Sequence, residues 1–467
     1  MSIDQIGIND TVEKDIVSIS ISENHPLIKL ANSINWNEVE EAVLPDLQSS
    51  TEKSQWWRGR PLRLRIHLGA YFLQQLFDLT DRQTEYGIKD NAAYQLFCGK
   101  NIVQKWHCPD HTKIEEFRSR LSPETQCKLA NLISVQAVKL GFADPKHIDI
   151  DSTIQEANMA YPSDSTLLCK LGQICKKVSG YLNDNMYVFK HKPMEVNIKR
   201  IKSIARKYWF LSKTTLPEEK NKIFEELYNC VNEEVSLVVD NVGCIPINML
   251  DNIPWNINNA FIQIRDLAKK YLSDVKHFIE NGSMIPDKIL SFHLNQVKCF
   301  TKEKPGKKYQ FGRVFQLARI KGNFLFATKL NKVDVSDKHA VEPLLQTHKA
   351  IFRNDNLESV SADKAYYSKS NEKILHKAGV KDIGLQRPAN VKSEPISPLP
   401  KYKEEILVNR RSGIEPLIGH AKQSGQLRRS RMKSDRTIEA SGFASILSFN
   451  LRQMIRYKMG KVILEPT

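Results

Sequence analysis

No two cysteines of the 467-residue chain form a CxxC pair; the eight fall at irregular positions, 98, 108, 127, 169, 175, 230, 244 and 299. That excludes a disulfide framework and a zinc knuckle, and fits reduced thiols in a cytoplasmic protein. Cys98, His107, Cys108 and His111 lie close in sequence, but their spacing matches no common zinc site. No apolar run is long enough to span a membrane. The opening MSIDQIGIND has neither the basic n-region nor the apolar h-region of a secretory signal. Internal repeats and low-complexity tracts are missing too.

Apolar residues, at 41%, suffice for a buried core and are too many for a disordered chain. The length suggests two or three structural units. Lys and Arg exceed Asp and Glu by 16, which points to a polyanionic partner, nucleic acid being the commonest. The excess is uneven. Residues 1–50 hold nine acids against Lys14 and Lys29, a net of −7, leaving +23 for the rest. An acidic leader of about 55 residues would be repelled by DNA, so it is expected to lie away from a binding surface or to fold against the protein.

Hydrophobic spacing predicts several short helices between residues 56 and 143. One begins at Pro61 and carries Leu62, Ile66, Leu73, Leu76 and Phe77 on one face; others cover Arg82–Ile88, Ala92–Phe97 and His111–Leu121. Ser122 and Pro123 read as N-cap and first residue of a further helix. With basic surfaces, this group suits a helix-turn-helix-like DNA-binding unit. From Lys146 the period becomes two, Ile148 and Ile150 alternating with Asp149, Asp151 and Thr153, which marks a strand. A mostly helical insertion fills residues 165–300. Strands follow at Tyr309–Arg319 and Asn323–Leu330, joined by a turn at Lys321–Gly322. Then come a helix from Ser336, a strand at Leu357–Ala362, a helix near Asn371–Lys377 and a strand near Lys381–Leu385. Helical segments from about Ile414 to Lys458 close the chain. Without the insertion the order is that of an α/β, ribonuclease H-like core, expected over residues 144–164 and 301–460.

Three acids stand out on this scaffold. Asp151 lies on the first strand, Asp363 ends the fourth, and Glu415 opens a C-terminal helix. Two-metal phosphodiester chemistry needs carboxylates converging on Mg²⁺ ions roughly 4 Å apart, which two neighbouring strands and a helix can supply. Asp149 shares the face of Asp151 and is an alternative ligand. On a helix, Lys422 falls about 20° from Glu415 and Arg411 about 40° away, so both cations could hold a phosphate beside the ion. Pro416 belongs in a first turn and would leave Arg411 just outside the regular helix.

These segments carry a resemblance. Ile150-Asp151-Ser152-Thr153, Ala362-Asp363-Lys364-Ala365-Tyr366 and Arg411-Ser412-Gly413-Ile414-Glu415 through Lys422 resemble the three signature regions of bacterial insertion-sequence DDE transposases. Leu62–Gly99, Pro109–Leu121 and Leu427–Arg452 are similar to the terminal regions of those enzymes. The resemblance spans roughly residues 57–457 and is weakest in the helical middle. It implies Mg²⁺-dependent (Mn²⁺ as a substitute) cleavage at element ends and strand transfer by Asp151, Asp363 and Glu415. It further implies terminal inverted repeats and target DNA as partners and a homodimer on DNA. Arg411 and Lys422 match the family's Tyr-Arg-Glu-Lys signature, but Val408 stands at its tyrosine, and Lys364-Ala365 where Arg-Gly is common. Only 52 residues separate Asp363 from Glu415, so the insertion must follow the first strand.

Further DNA contacts are expected from the stripe Lys199, Lys202 and Arg206 with Trp209 or Trp255, and from the cluster Arg428, Arg429, Arg431 and Lys433. A tyrosine recombinase is disfavoured, since no histidine is followed by Arg three residues on. The same residues would also suit a decayed or domesticated transposase that binds DNA without cutting, or a simple nuclease that cuts without rejoining.

Overall fold

The computed structural model describes residues 21–49, 64–99, 108–185, 189, 193–212, 214–283, 285–301, 309–330, 336–353, 357–388, 396 and 398–462. Arg58–Leu62 and His107 lie outside them.

The acidic leader is in part folded. Helices α1 (Pro26–Ser33) and α2 (Trp36–Ser49) bury Leu27, Leu30, Val39 and Val43 in the main core. Their apolar residues recur every three or four positions, a pattern masked in the sequence by the acids between them. Next come α3 (Leu64–Phe77), α4 (Asp81–Asp90), α5 (Ala92–Cys98), α6 (His111–Arg120) and α7 (Pro123–Lys139). The start of α7 is as expected: Ser122 Oγ accepts from Thr125 N at 3.2 Å, with Pro123 first in the helix.

Strand β1 (Asp144–Glu156) enters a six-stranded mixed sheet with β2 (Lys298–Thr301), β3 (Tyr309–Lys321), β4 (Phe324–Thr328), β5 (Ser359–Ala362) and β6 (Asp382–Leu385). The order is β2-β3-β1-β5-β6, and β4 pairs with the other end of β3. β3 runs antiparallel to β1, while β5 is parallel to both β1 and β6. The β3–β4 turn lies where expected: Asn323 N donates to Ile320 O (3.1 Å), with Lys321 and Gly322 between them, and Gly322 (φ 97°) and Asn323 (φ 63°) turn the chain back so that Phe324 pairs with Ile320. Four-residue β2 is too short for periodicity to reveal.

Among the described residues the insertion holds the helices α8 (Asp164–Asp184), α9 (Ile198–Trp209), α10 (Pro217–Gly243), α11 (Trp255–Gln263) and α12 (Lys269–Asn281). They enclose their own core, with Leu168, Leu171, Val231, Val235, Phe261 and Tyr271 buried. Helices α13 (Val341–Phe352) and α14 (Lys369–Lys377) flank β5. After the proline-rich stretch come α15 (Lys401–Ser412), which the sequence did not lead one to expect, then α16 (Ile414–Gln423) and α17 (Asp435–Lys458). α17 shares one core with the N-terminal helices and the sheet, in which Phe72, Ile133, Ile150, Leu317, Phe326 and Leu447 are buried. No helix among the described residues is long and apolar enough to cross a membrane.

Two buried asparagines finish the outer edge of β4. Asn131 of α7 accepts from Ala327 N (2.8 Å) and donates to Ala327 O (2.9 Å). Asn450 of α17 accepts from Leu325 N (3.0 Å) and donates to Leu325 O (2.7 Å). The amide side chains thus take the place of a further strand, closing an edge that would otherwise present unpaired backbone groups.

Candidate active site

Register sets the two aspartates together. Ile150 is level with Ala362 in the parallel β1–β5 pair, so the next residues, Asp151 and Asp363, stand at one level at the end of β5. Asp363 ends its strand because its carboxylate caps the backbone N–H of Lys364, starting a 3-10 turn over Lys364–Tyr366. Beneath lies a buried polar floor: Tyr366 Oη donates to Gln316 Oε1 and Gln316 Nε2 to Asp337 Oδ1, each at 2.7 Å.

The third acid arrives from the α15–α16 corner. Pro416 lacks the N–H that would continue α15, so the helix breaks at Gly413 and restarts at Ile414. Arg411 is therefore in the last turn of α15 and Glu415 in the first of α16. The break does not separate them: Arg411 Nη2 donates to Glu415 Oε1 at 2.8 Å, and Nη1 lies 3.8 Å from Asp363 Oδ2. Arg411 thus joins two of the three acids.

Among the described residues no three Asp, Glu, His or Cys side chains are gathered tightly enough to hold an ion as they stand. The donor set suits a hard divalent cation, since carboxylate oxygens are the ligands such an ion prefers, while the Arg411 guanidinium takes the place between two of the acids. Burial pushes the Asp151 carboxyl up to about 6, with Glu415 and Asp363 adding to the rise and Arg411 and the Ser152 N–H opposing it. A cation at this place would relieve that charge.

This shift has a consequence for stability. The folded value exceeds the ordinary 3.8, so the stabilisation from protonated Asp151 is full below about pH 4 and lost as pH rises through about 6. In EDTA at pH 8, Asp151→Asn should therefore unfold at higher denaturant than wild type, by up to about 3 kcal/mol. The gap should shrink with falling pH and with added Mg²⁺. Equal wild-type and variant midpoints at pH 8 would contradict it.

Asp149, although on the same face, is differently placed. It is buried, Oδ1 accepts from Arg410 Nε at 2.7 Å, and Oδ2 lies 3.1 Å from Arg319 Nε. Both its oxygens are engaged by arginines, whereas Asp151 Oδ1 accepts from its neighbour's N–H (Ser152, 2.8 Å). Sequence reasoning missed Arg319 and Arg410, because their link to Asp149 exists only once β3 and α15 are docked beside β1.

The remaining candidates are dispersed. Lys422 is half-buried in the last turn of α16 and Val408 is half-buried on α15. Residues 428–430 are stitched to the end of β1, Glu156 N donating to Arg428 O (3.2 Å) and Ser430 N to Glu156 O (2.8 Å). Arg428, Arg429, Arg431 and Lys433 are exposed there, with Arg431 paired to Asp78. Lys199, Lys202 and Arg206 line the exposed face of α9, whose Ile198, Ile201, Ile204 and Ala205 are buried in the insertion. Trp209 is half-exposed and donates from Nε1 to Ser165 Oγ at 2.9 Å; Trp255 is largely exposed. The structure brings together Asp151, Asp363, Glu415 and Arg411, while the α9 stripe belongs to the insertion's separate body.

Comparison with known proteins bears on this arrangement. Residues 16–120 match the profile of a transposase domain, and residues 297–451 that of a transposase DDE domain. Over 174 residues, 36% of this chain and 79% of the relative, the sequence is 27% identical to a protein of Rhizobium meliloti described as "Uncharacterized protein ORF8 in nfe locus". No solved structure matches the chain.

Proposed function

The chain belongs to the insertion-sequence DDE transposases, and from that premise we propose that it cuts DNA at element ends and joins them to a target, using Asp151, Asp363 and Glu415. One observation carries the proposal: two aspartates level on neighbouring parallel strands, with a glutamate tied to one of them through Arg411. On this reading the mixed sheet is a ribonuclease H-like core interrupted after β1, and the N-terminal helices over 56–143 serve DNA binding.

The three carboxylates would hold Mg²⁺ or Mn²⁺. When bound, such an ion supplies Lewis-acid stabilisation and a nucleophile at neutral pH. The chain's own residues do the rest. Asp151 must lose its proton to act as a ligand, which its burial, and after that the charge of Glu415 and Asp363, resists and a cation favours. Arg411 and Lys422 hold the phosphate beside Glu415. Arg428 and Arg429, at the end of β1, and Lys199, Lys202 and Arg206 with Trp209 on the insertion, grip the flanking duplex. Two ends must meet, so a homodimer is expected on DNA.

The test is incubation of the wild-type chain with Mg²⁺ and DNA carrying the element's terminal inverted repeats. The expected result is cleavage at the ends and a joined product in a second plasmid. Cutting without joining would leave a nuclease. Specific binding without cutting in Mg²⁺ or Mn²⁺ would leave a decayed transposase, the outcome to which Val408 at the signature tyrosine position would then be traced.

A further inference from the structure

We propose that Asp149 is a positioning residue which, through Arg319 and Arg410, sets the α15–α16 corner and so aims Glu415 at the other two acids. The inference rests on the reading of those acids given above. Asp149 is directly opposite Arg319 in the β1–β3 register, and it grips Arg410, one residue before Arg411. Arg410 also donates to Ser359 Oγ (2.6 Å) and Ile148 O (3.2 Å), tying α15 to both β5 and β1. Arg319 meets the corner itself. A methyl group on Gly413 would stand 2.0 Å from Arg319 Nη1 and 3.1 Å from Cζ. Gly413 has an ordinary helical φ of −69°, so it is the approach of Arg319, far closer than that of Arg410 O at 3.2 Å, that favours glycine there.

A buried ion cluster of this kind is a poor way to gain stability, because desolvating three charges offsets their attraction. Its geometric effect is clearer. Asp149 is two residues from Asp151 on the same strand face, so the group that fixes the corner is carried by the strand that carries the first acid. Strand and corner cannot shift apart without breaking a buried ion pair.

The test separates geometry from mere folding through second-site repair. Gly413→Ala should weaken Mn²⁺ binding, measured by electron paramagnetic resonance of the free ion, by about tenfold or more. Adding Arg319→Lys should recover most of the loss, since lysine ends where Cζ stood and keeps its charge toward Asp149. Amide exchange over residues 414–423 should quicken in Gly413→Ala and slow again in the double variant. The proposal is overturned if Gly413→Ala binds Mn²⁺ and exchanges like wild type, or if the double variant is no better than Gly413→Ala. Failure of the metal-site reading looks different: Asp151→Asn would bind Mn²⁺ as well as wild type. The exchange rates over 414–423 would then still decide the positioning claim.

Discussion

Asp363→Ala and Glu415→Ala should each lower Mg²⁺-dependent end cleavage on the order of 10³-fold or more, while affinity for end DNA changes only a few-fold. Neither change should unfold the chain. Both side chains are about half exposed, so truncating either removes little buried surface, and Arg411 keeps the other acid as a partner. Asp151→Ala should abolish cleavage equally, yet it removes a carboxyl that burial disfavours and so should stabilise the metal-free protein. This divergence is the useful part. Simple misfolding would lower both activity and stability, whereas loss of a ligand lowers activity alone. Gel-shift and cleavage assays on the same preparations decide it, and a variant that still cuts at more than a tenth of the wild-type rate would remove its residue from the set.

Asn450→Ala should cost about 3 kcal/mol of stability or more. Its amide is fully buried and serves both backbone groups of Leu325, and it also donates to Ala130 O and Ser134 Oγ at 3.0 Å each. Alanine leaves the Leu325 N–H without a partner in a site closed to water and its C=O with Ser134 Oγ (2.7 Å) alone, and adds a cavity among α7, β4 and α17. Asn131→Ala should behave alike through Ala327. Denaturant unfolding followed by circular dichroism measures both. A loss below about 1 kcal/mol would mean that the edge of β4 relaxes onto other partners.

The sequence made the long, periodic elements legible and left the short or docked ones hidden. β1 and β3 showed through alternation, and α7 through Ser122-Pro123. Four-residue β2 has no period to read, and α15 followed four prolines that argued for irregular chain. The helices at 26–49 were obscured because acids between the apolar residues suggested a solvated leader. At the candidate site, Glu415, Lys422 and the two aspartates could be picked from local context. Which of Asp149 and Asp151 has oxygens to spare could not, since the answer depends on Arg319 and Arg410, 170 and 261 residues away in the chain from Asp149.

The place of the insertion also sets a problem of timing during synthesis. β1 is the middle strand of the sheet, yet its partners β3 and β5 are encoded after the helices of the insertion. At roughly 5–20 residues per second, a ribosome needs on the order of 10–30 s to reach β3 after finishing β1. The insertion, with its own core, can fold in that interval. The nascent β1, carrying Ile148, Ile150 and Ile154, must wait beside it with both edges open, the stage at which an unpaired apolar strand is exposed to pairing with a second copy on the same polysome.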